Sequence, residues 1–375
     1  MDSRIEKLAD MMVNYSCKVK PGEHVMATYS GAETLDMVTA VIEKIYAAGG
    51  SPYLVQKDNR LMREIILHAN DEQLERMCRY EMALTEDVDC FISIRATHNE
   101  YEFSDIPVEK MQNYNKRYSM PLVWRRMQKD RWAGISYPCA SEAQAMATSQ
   151  RAYEDFFFRV CTMDYPKMYR ACLPLKALMD RTDRVRIVGP GTDLCFSIRG
   201  IEAKICAGDH NIPDGECFTA PVRDSVNGQI TYNIPNVVEG YCYDTIRFTF
   251  ENGRIVDVDC SDPARLNKYL DVDEGARYLG EFAIGFNPAI TQPMKKTLYD
   301  EKLAGSIHVT PGQSFEYAGN GNSSSIHCDL VLLQTPEYGG GEIWFDDVLI
   351  RKDGRFVLPE LQALNPEELL KEDAQ

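Results

Sequence analysis

Six histidines occur in the chain, and two of them stand where imidazole chemistry would be useful. His24, His68, His98 and His210 have no partner at a useful spacing and read as surface or satisfied core histidines. His308 lies in the strand-like run GSIHV (305–309), and His327 in the stronger run SIHCDLVLL (325–333). On a strand, residues i and i+2 face the same side, so His327 and Asp329 project together while Ile326, Cys328 and Leu330 point away. An aspartate within an apolar strand is costly unless its charge is compensated, and a metal ion is one such partner. Taken alone, His-x-Asp is more often a hydrogen-bonded structural couple. Glu216, in NIPDGECFTAP (211–221), reads alone as a solvated turn residue. Glu281, in YLGEFAIGFNP (278–288), reads as an exposed carboxylate where a helix ends. Only in combination do they make a case.

The elements that must position these residues fall into two halves. Residues 24–29 (HVMATY) read as a strand, and 33–48 place Leu35, Val38, Val41, Ile42 and Ile45 on one helical face before Gly49-Gly50. There follow SPYLVQ (51–56), a long helical stretch to about residue 85, the strand CFISI (90–94) and a strand candidate at 134–137. Ser141 with Gln144 resembles a capping box that opens a helical region to about residue 180. Strands separated by helices predict an α/β N-terminal domain, residues 1–182, with a parallel sheet covered by helices. The character changes near 183. Residues 184–188 and 194–198 are strand-like, and Asn227-Gly228, Asn252-Gly253 and Asp353-Gly354 each sit beside apolar alternation. Such pairs tolerate the positive φ of two-residue hairpins, so residues 183–375 are expected to be an α+β domain rich in antiparallel hairpins. Its best helix candidate is 273–282, and it carries all five candidate residues.

At 375 residues the chain is long enough for two domains with proper cores. A net charge of −16 argues against general binding to nucleic acid or an anionic membrane. No apolar run reaches the ~20 residues of a membrane span, and none follows a basic start as in a secretion signal. Twelve cysteines without disulfide or metal-finger spacing point to free buried thiols in a reducing cytoplasm. Gly189-Pro190-Gly191 and Gly319-Asn320-Gly321 lack the continuation of a phosphate loop and read as turns. Asp300-Glu301-Lys302 reads either as a solvated charge run or as support for the strand that follows.

The blocks NIPDGECFTAPVRDSVNG, LGEFAIGFNP, LYDEKLAGSIHV and GNGNSSSIHCD, in this order, resemble the thermophilic-type metallo-aminopeptidases (the aminopeptidase T, or M29, family). The opening EKLADMMVNYSCKVKPGE is similar to the same family, so the resemblance spans essentially the whole chain. It implies a two-domain homodimer that acts on peptides and holds two divalent ions in its C-terminal domain. By motif, the family's ligands fall on Glu216 (of Pro-Asp-Gly-Glu), Glu281 (of Leu-Gly-Glu), His308 (of Gly-Ser-Ile-His), and His327 and Asp329 (of Ile-His-Cys-Asp). A tyrosine that lines the family's site falls at equal spacing on Phe315, with Tyr317 two residues later. Three carboxylates and two imidazoles suit a pair of Zn, Co or Mn ions. Two such ions about 3.5–4 Å apart activate a shared water and polarise a peptide carbonyl. A general base must still move a proton to the leaving amine, and Glu281 is a candidate if it is not fully committed to metal.

Two rival readings remain. His308, His327 and Asp329 alone make the two-histidine, one-carboxylate set of mononuclear iron oxygenases. Ring-cleaving dioxygenases acting on hydroxypyridines resemble this family and use such a triad. A single iron has no need of Glu216 and Glu281, which favours the peptidase. A non-catalytic relative is the third reading, and retention of all five residues argues against it.

Overall fold

Parallel strands with helical crossovers build the first half, as the alternation predicts. The computed structural model describes residues 2–371. It divides into two units, Met1–Thr162 with Gly208–Pro213, and Met163–Ala207 with Asp214–Gln375. In the first unit the sheet order is Ser51–Gln56, His24–Ser30, Cys90–Arg95, Trp132–Ser136, then the short strand Asn211–Ile212, all in parallel. The helix Leu35–Ala47 makes the first crossover and buries Met37, Val38, Ala40, Val41 and Ile45. The helical stretch to residue 85 is two helices, Asn59–His68 and Asp71–Asp87, the second opened by a reciprocal capping box between Asn70 and Gln73. Ser141 and Gln144 form no such box. Cys139 holds the N-cap position of a short helix, Ala140–Ala145, and the Ser141 hydroxyl donates to the Thr97 carbonyl instead.

The region from 140 to 181 is three helices, Ala140–Ala145, Gln150–Cys161 and Tyr165–Arg181. The last of these, which the sequence places ahead of a boundary at 183, belongs to the second unit. It packs on the strands Lys204–Cys206 and Glu216–Thr219 and on the 3₁₀ turn Pro359–Leu364.

The second unit holds two larger antiparallel sheets. One runs Arg254–Cys260, Ile246–Glu251, Asn227–Tyr232, Thr192–Ser197, Arg184–Gly189, Glu342–Phe345, Val348–Lys352, Arg355–Phe356. The other, the site sheet, runs Val331–Leu333, Ser306–Pro311, Leu279–Gly285, Glu216–Thr219, Lys204–Cys206. Phe196 and Phe282 pack edge to face between them at 5.0 Å, and the buried Tyr232 hydroxyl donates to the Val309 carbonyl at 2.9 Å.

Asn252-Gly253 and Asp353-Gly354 make the hairpins expected of them, with positive φ at all four residues. Asn227-Gly228 does not turn. It opens the strand Asn227–Tyr232, and Asn227 Oδ1 accepts from the Asn252 backbone N–H at 2.9 Å. A further hairpin turns at Asp346-Asp347, both at positive φ without any glycine. The helix expected at 273–282 is also corrected. Leu279–Gly285 is a strand with every residue buried, and the nearby helix is Pro263–Leu270, capped by Asp262. A strand buried on both faces shows no alternation, so periodicity cannot separate it from a buried helix.

Candidate metal centre

Register alone gathers the site. Along Leu279–Gly285, residues 281, 283 and 285 share one face. Opposite them stand Thr310 (facing Glu281), His308 (facing Ala283) and Glu216 (facing Gly285). The small residues Ala283 and Gly285 leave room between the long ones. Glu281 is therefore mid-strand rather than at a helix end, and Glu216 begins a buried strand rather than a solvated turn. Gly280 permits the approach of the next loop, since a Cβ there would stand 2.4 Å from the carbonyl oxygens of Gly312 and Gln313. His327 and Asp329 lie outside regular strand, which begins only at Val331. Their extended segment is still held along Ser306–Pro311 by bonds from Cys328 N to Pro311 O and from Val309 N to Leu330 O.

All five residues predicted from the sequence converge. His308 Nε2 lies 3.8 Å from Glu216 Oε2 and 3.5 Å from Glu281 Oε1. His327 Nε2 lies 3.2 Å from Glu281 Oε2 and 3.2 Å from Asp329 Oδ1. Glu281 thus turns one oxygen to each imidazole. His327 Nδ1 sits 2.7 Å from the Gln313 carbonyl oxygen, which can only accept. Nδ1 therefore carries the hydrogen, and a neutral ring presents its Nε2 lone pair to the carboxylates. The Thr310 hydroxyl donates to Asp329 Oδ1 at 2.7 Å.

Electrostatics point the same way. Burial opposes charge on His308, yet Glu281 and Glu216 outweigh it and push its pKa up to about 10. Burial likewise opposes charge on His327, and Asp329 and Glu281 overcome it, to about 12. Burial would raise Asp329, but the two imidazoles hold it well below the usual carboxylate range. The carboxylates call for positive charge. Among the described residues, Glu216 Oε2 and His308 Nδ1 are buried without a hydrogen-bond partner. An orphaned buried carboxylate oxygen is costly unless a cation meets it. Donor atoms of Glu216, Glu281 and His308 lie within 4.8 Å of one another, as do those of Glu281, His327 and Asp329. The residues present fit a divalent-cation centre.

Two residues of the cluster lie in the run that the sequence leaves open between solvated charge and support for the next strand. Glu301 and Lys302, in a run that could have been solvated, are 8% and 2% exposed. Lys302 Nζ donates to Glu216 Oε1 at 3.0 Å and to Glu301 Oε1 at 2.5 Å. Glu301 also shares a ligand-sized space with His308 and Asp329. Burial lifts the Glu301 carboxyl to about 7 against the pull of Lys302. Burial would lower Lys302, and Glu216 and Glu301 raise it instead. The one signal available was position: three charges wedged between Leu298-Tyr299 and Leu303-Ala304, directly before the strand that carries His308.

The open side of the centre is aromatic. Phe315 meets His327 edge to face at 5.1 Å, while Tyr317, half exposed, stacks on Phe315 at 5.5 Å. His327 and Asp329 are the partly exposed members, at 27% and 19% of their side-chain surface.

Known proteins resemble this chain along most of its length. Aminopeptidase T of Thermus thermophilus is 27% identical, over 88% of this chain and 92% of its own length. Aminopeptidase 2 of Geobacillus stearothermophilus is 24% identical, over 94% and 95%. The solved structure titled wild-type AmpT from Thermus thermophilus superposes with a TM-score of 0.75 at 23% identity, covering 95% of this chain and 99% of that one, which establishes the shared fold. The family model described as thermophilic metalloprotease (M29) matches residues 1–356, a span that includes every residue of the centre, and the chain belongs to that family.

Proposed function

We propose that the chain is a metal-dependent aminopeptidase that removes the N-terminal residue of peptides at a two-ion centre in its second unit. The observation that carries this reading is Glu281, with one oxygen 3.5 Å from His308 Nε2 and the other 3.2 Å from His327 Nε2. A carboxylate so placed can bridge two cations, a role that a single iron has no use for. Glu216 and His308 would hold one ion, His327 and Asp329 the other, and Zn, Co and Mn all suit these donors. The exopeptidase direction comes from relatives named Aminopeptidase T and Aminopeptidase 2. Divalent ions, when bound, lower the pKa of water and polarise a carbonyl.

The chain's own residues do the rest. The Thr310 hydroxyl fixes the orientation of Asp329, and the Gln313 carbonyl fixes the ring of His327. Because both oxygens of Glu281 face imidazoles, it leaves none for proton work. That task falls to Glu301, whose second oxygen lies outside the Lys302 ion pair and which shares a space with His308 and Asp329. Phe315 and Tyr317 supply an apolar wall where a substrate side chain would enter. The reading extends to a homodimer in the cytoplasm; twelve free thiols support a reducing compartment. Among the described residues no helix is long and apolar enough to cross a membrane.

Metal analysis of the purified protein together with an aminoacyl-anilide assay tests the proposal. Two ions per chain and amine release are expected, with both lost in Glu281→Ala. A single iron that consumes oxygen with a hydroxypyridine, or two ions without amine release from any aminoacyl substrate, overturns it.

A further inference from the structure

Four carboxylates, Glu216, Glu281, Glu301 and Asp329, meet at the centre. A cation of the chain itself already stands among them. Lys302 is 2% exposed, and its ammonium stands 3.0 Å from Glu216 Oε1 and 2.5 Å from Glu301 Oε1. The backbone that carries Lys302 is fixed. The Lys302 carbonyl accepts from the Asn287 N–H at 2.8 Å, and its own N–H donates to Tyr299 O at 3.2 Å. The preceding turn is fixed by the Ser306 hydroxyl, which donates to Glu301 O at 3.1 Å, and by Gly285, where a Cβ would meet that same oxygen at 2.6 Å. On the other side of the centre the balance differs. Asp329 and Glu281 each lie 3.2 Å from the single imidazole of His327, and among the described residues neither is paired with a lysine or arginine.

We infer that Lys302 makes the two cation positions unequal: the position of Glu216, Glu281 and His308 is built in competition with a resident ammonium, and it binds its ion much more weakly than the position of Glu281, His327 and Asp329. This rests on the two-ion reading above and deepens it. The sign follows from charge alone. Before the ion arrives, Lys302 stabilises Glu216 and Glu301; afterwards a like charge faces the ion across the Glu216 carboxylate. A lysine that merely supported the fold would strengthen both positions alike.

Calorimetric titration of the metal-stripped full chain with Co²⁺, followed in parallel by the visible spectrum of the bound ion, tests the inference without any assay of activity. Wild type should bind in two steps, with dissociation constants about 100-fold apart. Lys302→Gln keeps a donor to Glu216 and Glu301 but removes the charge. It should tighten the weak step about tenfold or more and leave the strong step within about threefold. Two ions bound by wild type with equal affinity overturn the inference and leave the two-ion reading intact, whether or not the variant folds. So does a variant whose weak step loosens, which would make Lys302 a positioning group. No binding of Co²⁺ to wild type at all overturns both.

Discussion

Thr310 faces Glu281 across the site sheet and gives its hydroxyl to Asp329 Oδ1 at 2.7 Å, so it sets where a proposed ligand points without being one. Groups of this kind typically account for 10–100-fold in metal affinity or activity, roughly speaking. Thr310→Val keeps the shape, and it should weaken metal binding by about 10- to 100-fold with an unchanged circular dichroism spectrum. An affinity equal to wild type would show that Asp329 needs no such support. At this scale the sequence was legible where local geometry decides. His327 and Asp329 two residues apart on extended chain had to project together, and they do, at 3.2 Å. Glu216 and Glu281 carried no local signal, because what draws them in is pairing with residues far along the chain. Glu301 and Lys302 were hidden for a related reason: a charged triplet looks the same in water as in a buried ion pair, and only tertiary burial separates the two.

Elements with strong periodicity were readable, and those without it were not. The amphipathic helix Leu35–Ala47 and the parallel strands followed their patterns, whereas the start of the fully buried strand Leu279–Gly285 falls in the stretch expected as helix, 273–282. The helical stretch ending at Asp87 illustrates what such patterns leave out. Within Asp71–Asp87, Glu81 is mostly buried and accepts from Lys57 Nζ at 2.6 Å, from Arg126 Nη2 at 2.7 Å and from the Tyr118 hydroxyl. It thereby ties three helical segments to the end of the strand Ser51–Gln56. Burial would raise the Glu81 pKa, but Lys57, Tyr118 and Arg126 hold it below its ordinary 4.5. A depressed folded-state pKa contributes stability that is full above the unfolded value and is lost as pH falls through the folded one. Glu81→Gln should therefore cost about 2–3 kcal/mol in urea unfolding near neutral pH, since it leaves partly buried cations unpaired. The gap to wild type should shrink as pH drops below 4.5. A difference that is constant from neutral to acid pH would remove the ionic account of this contact.

On the scale of the whole molecule, every residue of the candidate centre comes from the second unit, although its segments are scattered from Glu216 to Asp329. The strands Glu216–Thr219, Leu279–Gly285 and Ser306–Pro311 present their carboxylates and imidazoles to one another across the sheet. Bound cations would therefore stabilise the pairing of these strands directly. A ligand that binds only the folded state stabilises by an amount set by its concentration over Kd, about 4 kcal/mol at a thousandfold excess. Chelation should accordingly speed amide exchange in those three strands by roughly the corresponding factor, about a thousandfold at such an excess. The strands His24–Ser30 and Cys90–Arg95 of the first unit should keep their protection. Hydrogen exchange read by mass spectrometry separates these segments in one experiment. Equal loss of protection in both units would mean that the ions stabilise the chain through something other than this sheet. No change anywhere would mean that Lys302 and the protonated imidazoles already supply enough charge to hold the carboxylates together, and the centre would then be metal-binding without being metal-stabilised.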